Sequence, residues 1–250
     1  MNKIHKINKK PPPIATLNSK NLLSIEGMNK LEINSLLDRA DYFADLDPLK
    51  IIKTLNGYVI LNVFFENSTR TRVSFELAGR RLGAEVINIS VDKSSIKKGE
   101  SLLDTANTLS AMKPNLLIVR HPESGAPKLF SDYLNCSIVN AGDGRHEHPT
   151  QALLDIYTLE RSFEYNKGID NKIILFSGDL KRGRTVRSLA WLLTLYDNVK
   201  IIFSAPQELQ IKSDILEMLD KAQLNYVVSE NFSEHLTMYL IRKIFNQLYK

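Results

Sequence analysis

Apolar residues along this chain come in two alternating rhythms. Short, nearly continuous apolar runs of strand length fall at Tyr58–Phe64, Glu85–Ser90, Leu116–Arg120, Ser137–Asn140, Lys172–Phe176, Val199–Phe203 and Asn225–Val228. Between them lie segments with helical spacing, among them Arg70–Leu82, Glu100–Met112, Pro149–Phe163, Thr185–Leu195 and Ser213–Ala222. In the first of these Val73, Leu77, Ala78 and Leu82 share a face, and Gly83 ends it. Strands alternating with helices predict an α/β fold of parallel sheets flanked by helices. Ligands of such sheets gather beyond the carboxyl ends of the strands. A polar interruption at Glu164–Asn171 separates the first four strands from the rest and predicts two domains, each with a parallel sheet flanked by helices. The expected division is a polar leader at 1–20, stiffened by Pro11-Pro12-Pro13, a first domain at 21–163 and a second at 164–250. The tail His235–Lys250 reads as an amphipathic helix with Leu240, Ile244, Phe245 and Leu248 on one stripe.

Composition narrows the field without choosing within it. A chain of 250 residues, 43% hydrophobic and 24% charged, is long enough for one large domain or two modest ones. The net charge of +5 favours anionic ligands. The lysines are scattered and no recognised nucleic-acid motif is present, so nucleic acid is not an expected partner. Nor is a membrane: no segment has the run of apolar residues needed to span one, and the basic leader lacks the apolar centre of a signal peptide. The single cysteine, Cys136, excludes an internal disulfide framework and suits a reducing compartment, so the expected location is cytoplasmic. Its strand-like setting predicts a buried structural thiol.

The turn after the first strand carries the strongest chemical signal. Glu66-Asn67-Ser68-Thr69-Arg70-Thr71-Arg72 places hydroxyls and guanidinium groups where a helix begins. Such an end offers unpaired N–H groups and the positive pole of the helix dipole, and binds phosphate readily. Arg70 adds a planar fork matched to phosphate oxygens. The turn holds no glycine, so it is neither a P-loop nor a dinucleotide fingerprint. The plainer alternative is an ordinary N-cap with solvated arginines.

Three more motifs follow strands. Arg120-His121-Pro122 sets an arginine at a strand end, facing either an anion or solvent. Ala141-Gly142-Asp143-Gly144-Arg145-His146-Glu147-His148-Pro149-Thr150-Gln151 is a turn that opens a helix, with Pro149 near its first position. His146 and His148 are spaced neither for a helix face nor for a zinc knuckle, so no metal is expected, and a neutral hydrogen-bonding role suits His148 better. Gly178-Asp179-Leu180-Lys181-Arg182-Gly183-Arg184-Thr185 is either a basic surface turn or a second cationic pocket, on the second domain. Two anion sites on two domains point to two anionic substrates held across a cleft.

Together these motifs make the chain resemble the aspartate/ornithine carbamoyltransferase family. The shared elements are Phe64-Phe65-Glu66 with Ser68-Thr69-Arg70-Thr71-Arg72, Lys98-Gly99-Glu100, Arg120-His121-Pro122, Asn140 to Gly144, His148-Pro149-Thr150-Gln151, and Gly178-Asp179-Leu180 with Gly183-Arg184-Thr185. They run in the family's order over about Asn21 to Asp220, and the last stretch is similar to the aspartate branch. The resemblance implies transfer of the carbamoyl group of carbamoyl phosphate to the amine of L-aspartate, an early step of pyrimidine synthesis, with no cofactor and no metal. Positioning and charge stabilisation would carry the reaction. By resemblance Ser68, Thr69, Arg70 and Thr71 hold the phosphate. Thr71, Arg120 and His148 polarise the carbonyl, Gln151 orients the carbamoyl amide, and Arg184 takes an aspartate carboxylate. Lys98 and a serine, Ser94 in preference to Ser95, would come from a neighbouring subunit, with Lys98 also meeting aspartate. That sharing implies a homotrimer, and the resemblance admits a regulatory chain as a further partner.

The likeness fades between about Asp220 and Glu234. The family's closing loop with its His-Pro-Leu-Pro-Arg segment and its returning helix have no counterpart here, so the second domain is expected to be incomplete. Arg242 fits the family's aspartate clamp, but Ile244 stands where glutamine belongs. The carbamoyl phosphate half is therefore expected intact and the aspartate half impaired. An inactive remnant that still binds carbamoyl phosphate, and another carbamoyltransferase such as the ornithine enzyme, stay open beside the aspartate reading.

Overall fold

The computed structural model describes residues 12–13, 17–47, 52–90, 101–163 and 168–230. Ser94, Lys98, Arg242 and the tail at 235–250 lie outside the described residues. Two all-parallel sheets form the frame. The first has the order β2-β1-β3-β4, from β1 (Val59–Phe64), β2 (Glu85–Ser90), β3 (Leu116–His121) and β4 (Ser137–Asp143). The second has the order β5-β6-β7, from β5 (Ile173–Ser177), β6 (Lys200–Ser204) and β7 (Asn225–Ser229). All the strands expected from the apolar runs are present, their ends within one residue except that β4 runs three residues beyond the expected Asn140, to Asp143.

The helices are α1 (Lys30–Ala44), α2 (Thr69–Arg81), α3 (Leu102–Ala111), α4 (Ala126–Tyr133), α5 (Pro149–Phe163), α6 (Arg184–Leu193) and α7 (Ser213–Lys221). The periodicity reading named neither α1 nor α4. α1 is fixed by a capping box: Asn29 accepts from the Glu32 N–H, and Glu32 accepts from the Asn29 N–H, both at 3.0 Å. The other Glu32 oxygen accepts from the Asn18 N–H at 2.7 Å, tying the incoming chain to the same carboxylate. α4 spans only 8 residues and starts at a left-handed Gly125, so it carries too few turns to announce itself.

Strand alternation decides how the first sheet is covered. Leu61, Val63, Leu117, Val119 and Ile138 pack on one face with Phe130 of α4 and Leu109 of α3. Ile60, Phe64, Val86 and Ile118 face the other way, toward Phe75 of α2. Glycine is needed at position 79 of α2, because a Cβ there would lie 2.6 Å from Val86 of β2. The free edge of β4 is covered by the chain at 21–25: Leu22 bonds the Ile138 carbonyl at 2.8 Å and accepts from Asn140 at 2.9 Å. Cys136 sits just ahead of β4 rather than within it and is only half-buried.

The second core crosses the sequence boundary. Ile174, Phe176, Ile201 and Phe203 of the second sheet share one apolar cluster with Ile156 and Leu159 of α5 and with Ile33 of α1. α5 thus links the two sheets, following β4 directly and packing against α6 and α1. At the far edge β7 is largely exposed, with Val228 at 42%. No helix among the described residues is long and apolar enough to cross a membrane.

Candidate active site at the carboxyl ends of two sheets

A cavity of about 1070 Å³ opens where the carboxyl ends of both sheets face each other. Its first wall is the start of α2. Ser68 holds the N-cap position yet makes no side-chain capping bond, so its hydroxyl is not consumed by the helix. Ser68, Arg70 and Thr71 line the cavity. Thr69, expected with them, is exposed and does not line it. Its place at the first helical position leaves its backbone N–H, not its hydroxyl, as the group an anion would meet.

The second wall is built around a bulge. β3 and β4 pair Val119 with Asn140 and then His121 with Asp143, so two residues of β4 oppose Arg120 alone. The extra residue is accommodated at Gly142, whose φ of +132° suits only glycine. A Cβ there would come within 3.2 Å of Arg120 and 3.3 Å of Arg184, so its absence lets two guanidinium groups lie over the same backbone.

These two cations are clasped by one carboxylate. Glu66 Oε2 accepts from Arg120 Nε at 2.9 Å and from Arg184 Nη2 at 3.4 Å. Arg120 also donates to the Ala141 carbonyl at 3.3 Å, and Arg184 to the Gly144 carbonyl at 2.8 Å. Arg120 is 13% exposed, and burial beside a second guanidinium lowers its pKa. Glu66 stands in the turn after β1, and its sequence neighbours do not reveal its role, because its partners are 54 and 118 positions away.

His148 completes the constellation. Burial, then the nearby Arg120 and Arg184, push its pKa down to about 4, so the imidazole is neutral at physiological pH. The Gln151 N–H approaches its Nδ1 at 3.3 Å, with the Thr150 hydroxyl also at 3.3 Å. A ring nitrogen that accepts carries no proton, so the proton belongs on Nε2. One helical turn on, Gln151 Nε2 donates to Asp155 Oδ1 at 3.0 Å. Burial raises the Asp155 pKa to about 6. Asp155 lines the cavity and carried no signal in the sequence beyond being a polar residue on a helix. His146, by contrast, points to Asp143 at 3.4 Å and is half-exposed.

Of the expected site residues, Ser68, Arg70, Thr71, Arg120, His148, Gln151 and Arg184 all line this one cavity. Fold and site define an α/β protein with an arginine-lined cleft between two parallel sheets. Residues 20–161 match the family described as aspartate/ornithine carbamoyltransferase, carbamoyl-P binding domain. The chain belongs to that family.

Relatives and solved structures agree. The chain is 52% identical over 186 residues to an aspartate carbamoyltransferase catalytic subunit of Dinoroseobacter shibae, covering 73% of this chain and 58% of that one. The match to the Rhodospirillum rubrum subunit is 51% over 178 residues, covering 70% and 55%. The chain thus spans less than three fifths of the length of these relatives. Among structures, the catalytic subunit of M. jannaschii aspartate transcarbamoylase superposes with a TM-score of 0.78 at 42% identity, over 86% of this chain and 70% of that one. Aspartate transcarbamoylase from Trypanosoma cruzi, solved with carbamoyl phosphate and aspartate, gives 0.81 at 35% identity, over 91% and 71%.

Proposed function

We propose that this chain transfers a carbamoyl group from carbamoyl phosphate to L-aspartate, giving N-carbamoyl-L-aspartate and phosphate in the early part of pyrimidine synthesis. The observation that carries this reading is the convergence of Thr71, Arg120 and a neutral His148 on one cavity that begins at the N-terminus of α2. Carbamoyl transfer needs a phosphate cradle and donors for one carbonyl oxygen, and little else. In this reading Ser68, Arg70, Thr71 and the first N–H groups of α2, Thr69 among them, hold the phosphate.

The aspartate amine attacks the carbonyl carbon, and negative charge gathers on the carbonyl oxygen. Arg120, Thr71 and the Nε2–H of His148 stabilise it, each donor being worth roughly 3–4 kcal/mol. The carbon–oxygen bond to phosphate then breaks, and the proton lost by the attacking nitrogen passes to the departing phosphate. A neutral imidazole suits this role, because it donates without repelling the neighbouring guanidinium groups. Arg184 takes an aspartate carboxylate, with Lys98 and Arg242 as its proposed companions. Residues 21–163 form the carbamoyl phosphate domain in this scheme, and 164–250 the aspartate domain.

The likeness of the loop at 92–100 to the family supports a homotrimer in which Ser94 and Lys98 reach a neighbouring subunit's site. The single cysteine supports a cytoplasmic setting. Carbamoyl-aspartate formation by purified, folded protein tests the proposal, with Arg120→Met as control; activity lost in the variant is the expected result. A second reading, carbamoyl phosphate binding without turnover, is favoured by Ile244 standing where glutamine is expected in the clamp. Saturable ligand binding with no product would select it.

A further inference from the structure

Asp155 has no part in the scheme above, yet it is a carboxylate at 9% exposure on the wall of the cavity. Its side-chain neighbour is Gln151, whose Nε2 donates to Asp155 Oδ1 at 3.0 Å across one turn of α5. An amide has nearly the same shape at both ends and opposite polarity: the nitrogen only donates and the oxygen only accepts. An ionised carboxylate only accepts, so it tolerates the nitrogen end and rejects the oxygen end. Burying such a charge is costly, and its raised pKa reflects that cost. A packing role alone would be met as well by a neutral residue of the same size.

We propose that Asp155 is a positioning and specificity residue that sets the polarity of Gln151. By holding Nε2 on the helix side, it turns Oε1 to the cavity as an acceptor. The site then selects a phosphate-bearing ligand whose acyl group carries N–H donors, a carbamoyl or primary amide. It rejects one whose acyl group ends in oxygen or carbon. A buried acceptor left facing another acceptor loses its hydrogen bond outright, which is how polar sites discriminate strongly. The proposal rests on the carbamoyl phosphate reading of this cavity and adds to it the group that enforces the choice.

Three stable probes separate the two: inorganic phosphate, phosphonoacetamide with its N–H donors, and phosphonoacetate with an oxygen in their place. Calorimetric titration of the whole chain should give tighter binding of phosphonoacetamide than of phosphonoacetate. In Asp155→Asn the new amide can present either end to Gln151, so Gln151 can turn round. The ratio of the two affinities should fall about tenfold while phosphate affinity holds, a tenfold change being the worth of one ordinary hydrogen bond.

Gln151→Ala should lower the ratio similarly, and adding Asp155→Asn to it should change the ratio no further. A ratio unchanged in Asp155→Asn, or a further fall in the double variant, would overturn the positioning role and leave the cavity's assignment intact. Loss of phosphate affinity in Asp155→Asn would overturn it too, because Asp155 would then support the cradle and not the choice. Failure of the unaltered chain to bind any probe would overturn the carbamoyl phosphate reading itself.

Discussion

The two sheets bring unequal contributions to one cleft. The first supplies the start of α2, a largely buried arginine, a bulge and a neutral histidine, from the carboxyl ends of β1, β3 and β4 and the turns that follow them. The second supplies Arg184 and the short stretch at the end of β5, and among the described residues its last strand pairs on one side only. The first half of the cleft is built by backbone geometry that a short sequence can encode. The second depends on Arg184 of α6, which reaches across to Glu66. A site of this kind can hold its first ligand while the second remains poorly held.

The sharpest way to break this contrast is Arg120→Met. It removes the proposed carbonyl donor and leaves Glu66 with one guanidinium partner instead of two; turnover should fall by a thousandfold or so, on the order of 4 kcal/mol. Steady-state kinetics that retained a tenth of the activity would dissolve the claim that the first half carries the chemistry. His148→Ala should cost roughly 3 kcal/mol in kcat and little in carbamoyl phosphate KM, since the donor acts chiefly on the developing charge. An effect confined to KM would make His148 a binding group only.

pH offers a subtler probe, because His148, just ahead of α5, and Asp155, within it, are shifted in opposite senses. His148 falls from an ordinary 6.5 to about 4, so the unfolded chain binds its proton first. Acidification from pH 6.5 to 4 therefore destabilises the fold, by about 3 kcal/mol from this group alone. Asp155 rises from 3.8 to about 6, so the folded chain binds its proton first. Acidification from pH 6 to 3.8 therefore recovers stability of similar size, about 3 kcal/mol. Asp155→Asn should raise stability at pH 7 and unmask the fall due to His148. Urea titrations at pH 7 and 4.5 read both signs, and parallel curves for the variant and the parent would refute the pairing.

Two smaller effects sharpen the comparison. Arg184→Lys keeps charge but loses the fork that holds both Glu66 and the Gly144 carbonyl. It should weaken N-(phosphonacetyl)-L-aspartic acid about tenfold more than phosphonoacetamide, one charged hydrogen bond's worth. Equal weakening would mean that Arg184 serves the first half after all. Gly142→Ala should cost about 1–3 kcal/mol of stability, from its φ alone, before any crowding of the two guanidinium groups.

Legibility in the sequence followed the same divide. Strand runs and the long helices α2 and α5 were readable because their apolar spacing is imposed by the two-sided burial of parallel sheets. α4 was missed because eight residues after a left-handed glycine give hardly two turns of pattern. Cavity-lining residues were readable where they cluster in a post-strand turn, as Ser68, Arg70 and Thr71 do. Glu66 and Asp155 were not, since each acts through another side chain and neither changes the local pattern. Gly142 looked like an ordinary turn former; only strand register reveals the extra residue that it accommodates.

The placement of α1 sets an order of events at the ribosome. Ile25 and Ile33 enter the same apolar cluster as Ile174 and Phe203, well over a hundred residues downstream. At roughly 5–20 residues per second, α1 therefore waits on the order of ten seconds after its own synthesis before its partners exist. During that interval the first sheet can close on its own two clusters, while an amphipathic helix waits beside it. A chaperone that recognises exposed apolar helices would find α1 uncovered until β5 and β6 have been made.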